Sequence, residues 1–400
     1  MALPLSLLLL LASLAGLTPL AIDMYLPSLP TIARDLGVPI AQAQLTISVF
    51  LAGFALGQLF YGPLADAVGR KPVMLGGLAL FTLASLGCAF ANSIETLMAF
   101  RLLQAIGGAA GSVVLNALLR DLFERDMFAR VMSMVILVMT LAPLLAPIVG
   151  GYLLLIGHWH SIFWLLAVIG ALVSLTLAIK IPETLRPEHR QSFRLLPVLR
   201  NYGRVLGNRP ALGYIGCGAL TTASMFAFIS GSPMVYIELF GVAAEHYGLL
   251  FGLNILLLML LTFANSRLVK TLGSNRLLRI GLTVGSGGAL LLLATAATGF
   301  GGLWGIVLPV MLVISQISLI GANAMAGLLG HFPEAAGTAS ALAGTTRFGL
   351  GALSAFAVNA SHELSALPMA LVMTLCTWLA LLSYWLLVRP ALTGRAQIQP

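Results

Sequence analysis

The chain has 400 residues, of which 59 % are hydrophobic and only 8 % charged, with a mean hydropathy of +1.01. About a quarter of the residues of a water-soluble globule are charged, so a soluble domain is excluded. A formal net charge of +8, from 21 basic and 13 acidic residues, would suggest an anionic partner such as nucleic acid in a soluble protein.

A spanning helix needs about 20 apolar residues, and this chain offers twelve such runs. The first six fall near 4–26, 42–64, 73–91, 95–117, 131–155 and 161–181, the second six near 211–235, 246–266, 278–298, 303–328, 338–360 and 367–388. The first run, Pro4 to Ile22, shares one feature with a signal peptide: its segment LASLAGLTPLA offers small residues suited to cleavage. No Lys or Arg precedes it, and its length exceeds the 7–15-residue core of such peptides, so it is expected to stay as a spanning helix. Cys88, Cys217 and Cys376 each sit in an apolar run at a spacing that fits neither a disulfide framework nor a metal site. They are expected to be small buried hydrophobes.

With twelve spans both termini share one side, and the bias of Lys and Arg toward cytoplasmic loops names it. With cytoplasmic termini, 18 basic residues fall in inside loops and flanks and only Arg34 outside, while Arg101 and Arg347 lie within spans. That distribution removes any need for a nucleic-acid partner. The longest polar stretch, Pro182 to Pro210, separates an N-terminal six-helix bundle (1–182) from a C-terminal one (210–400), with 183–209 as a cytoplasmic linker. GPLADAVGRKP after the second span is faintly echoed by NSRLVKTLGSNR after the eighth. Internal repeats of this kind are frequent in secondary transporters, whose substrate site lies between the repeats near the membrane midplane. The fold expected is an all-α membrane protein of twelve transmembrane helices in two six-helix pseudo-repeats.

The segment Gly62-Pro63-Leu64-Ala65-Asp66-Ala67-Val68-Gly69-Arg70-Lys71-Pro72 matches the loop signature G-x-x-x-D-x-x-G-R-K-P of the major facilitator superfamily at every defined position. A generic charged turn would explain Arg70 and Lys71 but not Gly62, Asp66 and Gly69 at their spacing. Arg101 to Gly107 resembles R-x-x-Q-x-x-G in the fourth span. Ala142 to Gly151 resembles the antiporter motif G-x-x-x-G-P-x-x-G-G: Pro143, Pro147, Gly150 and Gly151 are present, while Ala142 and Ala146 stand where glycines are usual. Ala21 to Pro27 and Gly337 to Ala352 are similar to segments of the bicyclomycin-resistance subfamily of twelve-span drug:proton antiporters. The resemblance implies proton-driven export of a small drug molecule by alternating access. It also implies that Asp66 sits against the N-terminus of the eleventh helix, near Gly337 and Thr338, as a latch when the cavity faces outward, with Arg70 and Lys71 paired to nearby acids.

An ionisable group inside a span is costly and therefore a functional candidate. Asp23, about four residues before Pro27, is expected roughly 6 Å below the outer end of the first helix, and Arg101 roughly 9 Å below the same surface. The two can meet, either as the proton-coupling pair or as a fixed ion pair between helices. Glu238, at the outer end of the seventh span, is expected to be a solvated loop carboxylate or a weaker coupling candidate. Arg347 is expected to face a wet cavity or to satisfy helix carbonyls, and Asn254, Gln316 and Asn323 to contact substrate or to join helices. Tyr25, Phe50, Met225, Phe226 and Phe228 are candidates for an apolar, adaptable wall of a drug cavity, together with Arg101, Asn254 and Arg347.

His158 and His160 flank Trp159 in an outer loop, too little for a metal site and in keeping with interfacial aromatic residues. Neither a P-loop nor a common catalytic motif is found. No cofactor and no metal are expected; the partners are a small-molecule drug, protons and the lipid bilayer, around a monomer in a bacterial inner membrane. Two rival readings are a proton-coupled symporter for a small metabolite, and a membrane enzyme or receptor on a helical scaffold.

Overall fold

The computed structural model describes residues 5–190, 195–332, 336–360 and 364–396. Arg194, counted above among the cytoplasmic cations, lies outside them, as do the side chains of Arg125 and Arg395. Twelve helices long and apolar enough to cross a membrane are present among the described residues. The chain divides into two compact units. Unit 1 comprises Met1–Arg194 with Ala243–Leu249, and unit 2 comprises Leu195–Val242 with Leu250–Pro400.

Within unit 1 the fourth span (Ile94–Leu122) packs against the second (Ile40–Val68), the third (Arg70–Ala89) and the first (Leu9–Asp35). Its run of small residues explains that centrality, because small side chains let helix backbones approach closely. A Cβ on Gly107 would lie 2.6 Å from the Gly77 carbonyl oxygen, so nothing larger than glycine fits that crossing. In unit 2 the seventh span (Arg209–Leu239) holds the corresponding place, packed by the tenth (Gly302–Leu329), eleventh (Ala336–Asn359) and twelfth (Leu367–Leu392). Its start is capped by the Asn208 side chain, which accepts from Ala211 N at 3.0 Å, with Pro210 in the first turn, where a missing N–H costs no helical bond.

Three expected boundaries move. The first span continues past Pro27: helix Leu5–Asp23 passes through a 3₁₀ turn at Leu26–Ser28 into helix Leu29–Asp35. Pro27 and Pro30 occupy first-turn positions, where proline is tolerated. Asp23 therefore lies twelve residues short of the span's end at Asp35, far deeper than expected. The second span likewise runs through the expected loop to Val68, so Gly62 and Asp66 are helical and Gly69 alone breaks the chain, with φ +123°. The seventh span is extended to Leu239 by a π-helical turn at Met234–Leu239, which brings the exposed Glu238 into its last turn. All three cysteines are buried.

Candidate functional site

The residues singled out by chemistry fall into one buried cluster and one surface cluster in unit 1, and two separate groups in unit 2. At the buried cluster Arg101, 0 % exposed, is held on one edge only. Its Nη1 donates to the Ala21 carbonyl at 2.9 Å and to Gln104 Oε1 at 2.7 Å. Gln104 is three residues further along the same helix and thus on the same face. Its Nε2 donates to Ser85 Oγ at 2.7 Å, and that hydroxyl donates to the Phe81 carbonyl at 2.7 Å. The guanidinium carbon lies 4.2 Å from the ring centroid of Phe50, 4.7 Å from that of Tyr25 and 5.9 Å from that of Phe163. Aromatic faces attract a cation most strongly when water is excluded. The Tyr25 hydroxyl is 2.8 Å from Thr46 Oγ1. Among the described residues, Arg101 Nε and Nη2 are buried without a hydrogen-bond partner.

Asp23 is 4 % exposed. Among the described residues its side chain forms neither an ion pair nor a hydrogen bond, so the expected contact with Arg101 is not made. The reason is local. Helix Leu5–Asp23 ends two residues after Ala21, and carbonyls of a last helical turn lack their intrahelical partners. The guanidinium satisfies one of them instead of the carboxylate. Close by, Gly150 of the antiporter-like motif meets the first span where Asp23 ends: a Cβ there would collide with the Met24 carbonyl. Gly151 similarly faces the Ala244 backbone, with 2.8 Å from a built Cβ to that carbonyl oxygen. Pro143 and Pro147 lie inside the fifth helix, Arg125–Ile156.

The surface cluster gathers around Gly69. Arg70 pairs with Asp66 at 2.5 Å on the preceding helix and with Asp121 at 3.5 Å. Glu183, at the start of the polar linker, caps the new helix: its carboxylate accepts from Arg70 N at 3.0 Å, Lys71 N at 3.3 Å and Leu185 N at 2.9 Å. A carboxylate is favourable where a helix begins. Lys71 Nζ donates to the Ala178 carbonyl at 2.7 Å, and Thr184 Oγ1 to Asp121 at 3.0 Å. Gly69 is needed twice, for its left-handed φ and because a Cβ would strike the Glu183 carboxylate.

In unit 2 the candidate wall divides. Phe226 packs on Phe348 at 5.5 Å and against Gly351, whereas Phe228 stacks on Phe251 at 5.5 Å and meets Tyr236 at 6.1 Å. Two residues apart on a helix point in nearly opposite directions, so they do not form one surface. Met225 is half-buried. Asn254, fully buried one turn beyond Phe251, donates to the Leu250 and Phe251 carbonyls while its Oδ1 has no partner. Arg347 lines a small void with Tyr214, Gly218, Gly321, Ala324 and Ala343, and its Nε is buried without a hydrogen-bond partner among the described residues. Asn323 joins helices through Asn265 at 2.8 Å, and Gln316, which bonds Ser315 at 3.2 Å, sits at the break between the two helices of the tenth span.

Gln104, Ser85 and Phe163 at the buried cluster, and Asp121 and Glu183 at the surface one, were not foreseen as site residues. The R-x-x-Q spacing carries a signal for Gln104; nothing in the sequence places Glu183 against Gly69. At the outer loop Trp159 is buried, donates to Asp35 at 3.0 Å and stacks on His160 at 3.6 Å.

The family model for the Major Facilitator Superfamily matches residues 11–355. The chain is 38 % identical over 384 residues to a bicyclomycin resistance protein homolog of Haemophilus influenzae, covering 96 % of each. It is 34 % identical over 252 residues to the multidrug resistance protein MdtL of Escherichia coli O81, covering 63 % of each. Among solved structures it is similar to a D-xylose-proton symporter, with a TM-score of 0.74 at 16 % identity, covering 96 % of this chain and 98 % of the other. That last likeness concerns the fold alone.

Proposed function

The chain belongs to the Major Facilitator Superfamily, and on that premise we propose that it exports small drug-like molecules across a bacterial inner membrane in exchange for protons. It works as a multi-pass transporter and not as an enzyme, as a monomer with cytoplasmic termini, needing neither cofactor nor metal. Its N-terminal bundle (1–182), linker (183–209) and C-terminal bundle (210–400) are the working parts of alternating access. Likeness to a bicyclomycin resistance protein homolog over nearly the full length of both chains supports bicyclomycin-like substrates.

The observation that carries the coupling reading is the half-satisfied guanidinium of Arg101. It is caged by Tyr25, Phe50 and Phe163 and bonded to the Ala21 carbonyl, two residues before an unpaired Asp23. Arginine stays charged, so the guanidinium is a fixed positive site while the carboxyl is the group that gains and loses the proton. Its two unpartnered nitrogens, Nε and Nη2, can donate to the Asp23 carboxylate once the proton leaves, or to a carbonyl of the drug in its place. Either occupant excludes the other, and that exclusion is what couples drug to proton. The Gly62–Lys71 segment acts as the conformational latch: Gly62 and Asp66 at the helix end, Gly69 at the break, Arg70 and Lys71 beyond it.

The test is a pH-dye measurement in everted vesicles with an acid interior, adding bicyclomycin to wild type and to Asp23→Asn. Drug-induced proton release is expected in wild type and not in the variant. Unchanged release in the variant would remove Asp23 from the coupling path, and no release in either would remove proton exchange for this drug.

A further inference from the structure

Unit 2 carries one charge far from any helix end. Arg347 is eleven residues after the start of the eleventh helix at Ala336 and twelve before its end at Asn359, roughly 16 and 18 Å along the axis. No other Asp, Glu, Lys or Arg occurs in that helix or in the tenth span. The seventh span has Arg209 at its first position and Glu238 near its last, and Glu238 is twenty residues beyond Gly218, roughly 30 Å along the helix. The other two acids of unit 2, Glu334 and Glu363, fall outside the described residues and, in sequence, beyond the two ends of the eleventh helix. Among the described residues the Arg347 guanidinium makes no ion pair and no hydrogen bond, so the expected contact with helix carbonyls is not made.

Three helices line the void beside it. Tyr214 and Gly218 come from one face of the seventh span, Gly321 and Ala324 from one face of the tenth, and Ala343, one turn before Arg347, from the eleventh. Four of these five have no side chain larger than a methyl group, and that leaves the room. A Cβ on Gly218 would meet only the Ala324 Cβ, at 3.9 Å, and one on Gly321 would meet nothing. Tyr214 is held in place: its hydroxyl donates to Asn275 Oδ1 at 2.9 Å, and its ring lies against Gly327, where a Cβ would strike it. The void, of about 10 Å³, accommodates about one water-sized group. A drug ring does not fit there, but a single oxygen atom does. A buried charge without a partner is unfavourable, and guanidinium N–H groups bond carboxylates most strongly.

We propose that this slot selects the exported molecule by its chemistry: it receives one compact oxygen acceptor, of a carboxylate in preference to a neutral carbonyl, onto the Arg347 guanidinium, and it rejects cationic drugs. The assignment rests on the drug-export reading and names its substrate class. The acceptor displaces no protein group, and the rest of the molecule stays outside the slot. A cation finds no carboxylate in this wall and is repelled by Arg347.

Calorimetric titration of the full-length protein in nonionic detergent tests this with three probes: nalidixate, a carboxylate drug; its neutral primary amide; and tetraphenylphosphonium, a permanent cation. Wild type should bind nalidixate at least about tenfold more tightly than either of the others, the factor that a charge-assisted hydrogen bond supplies. Arg347→Gln should lose that preference while melting no lower than wild type, because it removes a charge that the protein leaves unpaired. Gly218→Ala keeps the charge, and its added methyl fits without collision but fills the slot, so nalidixate binding should weaken about tenfold. Gly287→Ala, on the ninth span (Ser274–Thr298) with open space around its Cβ, should leave binding within about twofold. No measurable nalidixate binding by wild type, equal binding of nalidixate and the cation, a preference that survives Arg347→Gln, or undiminished binding in Gly218→Ala would each overturn the assignment. Drug-induced proton release in everted vesicles reports on the export reading separately: nalidixate binding that depends on Arg347, with no proton release, would remove antiport and keep the slot.

Discussion

Gln104 is the residue on which the geometry of the buried cluster turns, and two substitutions there separate its stabilising role from its part in coupling. Gln104→Leu removes the acceptor of an Arg101 hydrogen bond and the donor to Ser85, while Arg101 keeps the Ala21 carbonyl and Ser85 keeps the Phe81 carbonyl. A bond to a charged group contributes about 1.5–3 kcal/mol and a neutral one about 0.5–1.5 kcal/mol, so the loss is about 2–4.5 kcal/mol. Gln104→Glu also loses the donor to Ser85 but strengthens the other bond, placing a carboxylate where an amide oxygen now lies 2.7 Å from the guanidinium. Reversible unfolding in mixed micelles should show the leucine variant destabilised by that amount and the glutamate variant at least as stable as wild type. Both should lose drug-induced proton movement, the first because the guanidinium is no longer aimed, the second because the introduced carboxylate replaces Asp23 as its partner. A glutamate variant that is stable and couples proton to drug as wild type does would refute the role given to the guanidinium.

The surface cluster predicts a different phenotype. Gly69→Ala forces a left-handed φ on a residue with a Cβ, at a cost of about 1–3 kcal/mol, and pushes the Glu183 carboxylate off the helix start; turnover should slow while drug affinity, measured by equilibrium binding, stays within about twofold. Glu183→Ala removes the obstruction but also the cap, and should lower thermal stability by about 1 kcal/mol. Phe50→Ala opens the cage beneath Arg101 and leaves a cavity for a fully buried ring, so a loss of about 3–5 kcal/mol is expected from the unfolding midpoint. Gly150→Ala should impair folding or export, whereas alanine at Gly76, with open space around its Cβ, should be neutral in the same export assay.

Much of this architecture is legible in the sequence because membrane spans obey a strong rule: backbone groups without water must bond within the helix. Run length and apolarity therefore locate all twelve helices, and the spacing of the loop signature sets Asp66 one helical turn before Arg70. Boundaries at proline and glycine are less legible. Pro27 reads as a helix end but serves as the first turn of the next segment, and Gly62 reads as a loop residue but stays helical. The Asp23–Arg101 distance is illegible for a further reason. Depth along two helices is a one-dimensional coordinate, while pairing depends on which orphan carbonyls the helix end exposes, and those compete for the same guanidinium. The placement of Phe226 and Phe228 in different packing groups follows from helical phase alone and was open to reading; the partners Gly351 and Phe251 were not.

The two arginines inside the spans show how one residue type acquires different meanings from its surroundings. Arg101 is fixed by a side-chain network reaching three helices, with aromatic rings on its faces and two nitrogens, Nε and Nη2, left unpartnered among the described residues. Arg347 lacks such a network; its neighbours at the void are mainly Gly and Ala, and only its Nε is both enclosed and unpartnered. A buried charge is tolerated when hydrogen-bonded and is expensive otherwise. Arg101 therefore has a positioned, partly satisfied state from which it can exchange one partner for another at small net cost, the property a coupling site requires. Among the described residues Arg347 has no hydrogen-bond partner to exchange, and a substrate group arriving at its Nε would add a bond without displacing one. On the proposed mechanism, binding at Arg347 would contribute affinity, while binding at Arg101 would convert occupancy into a change of proton affinity at Asp23.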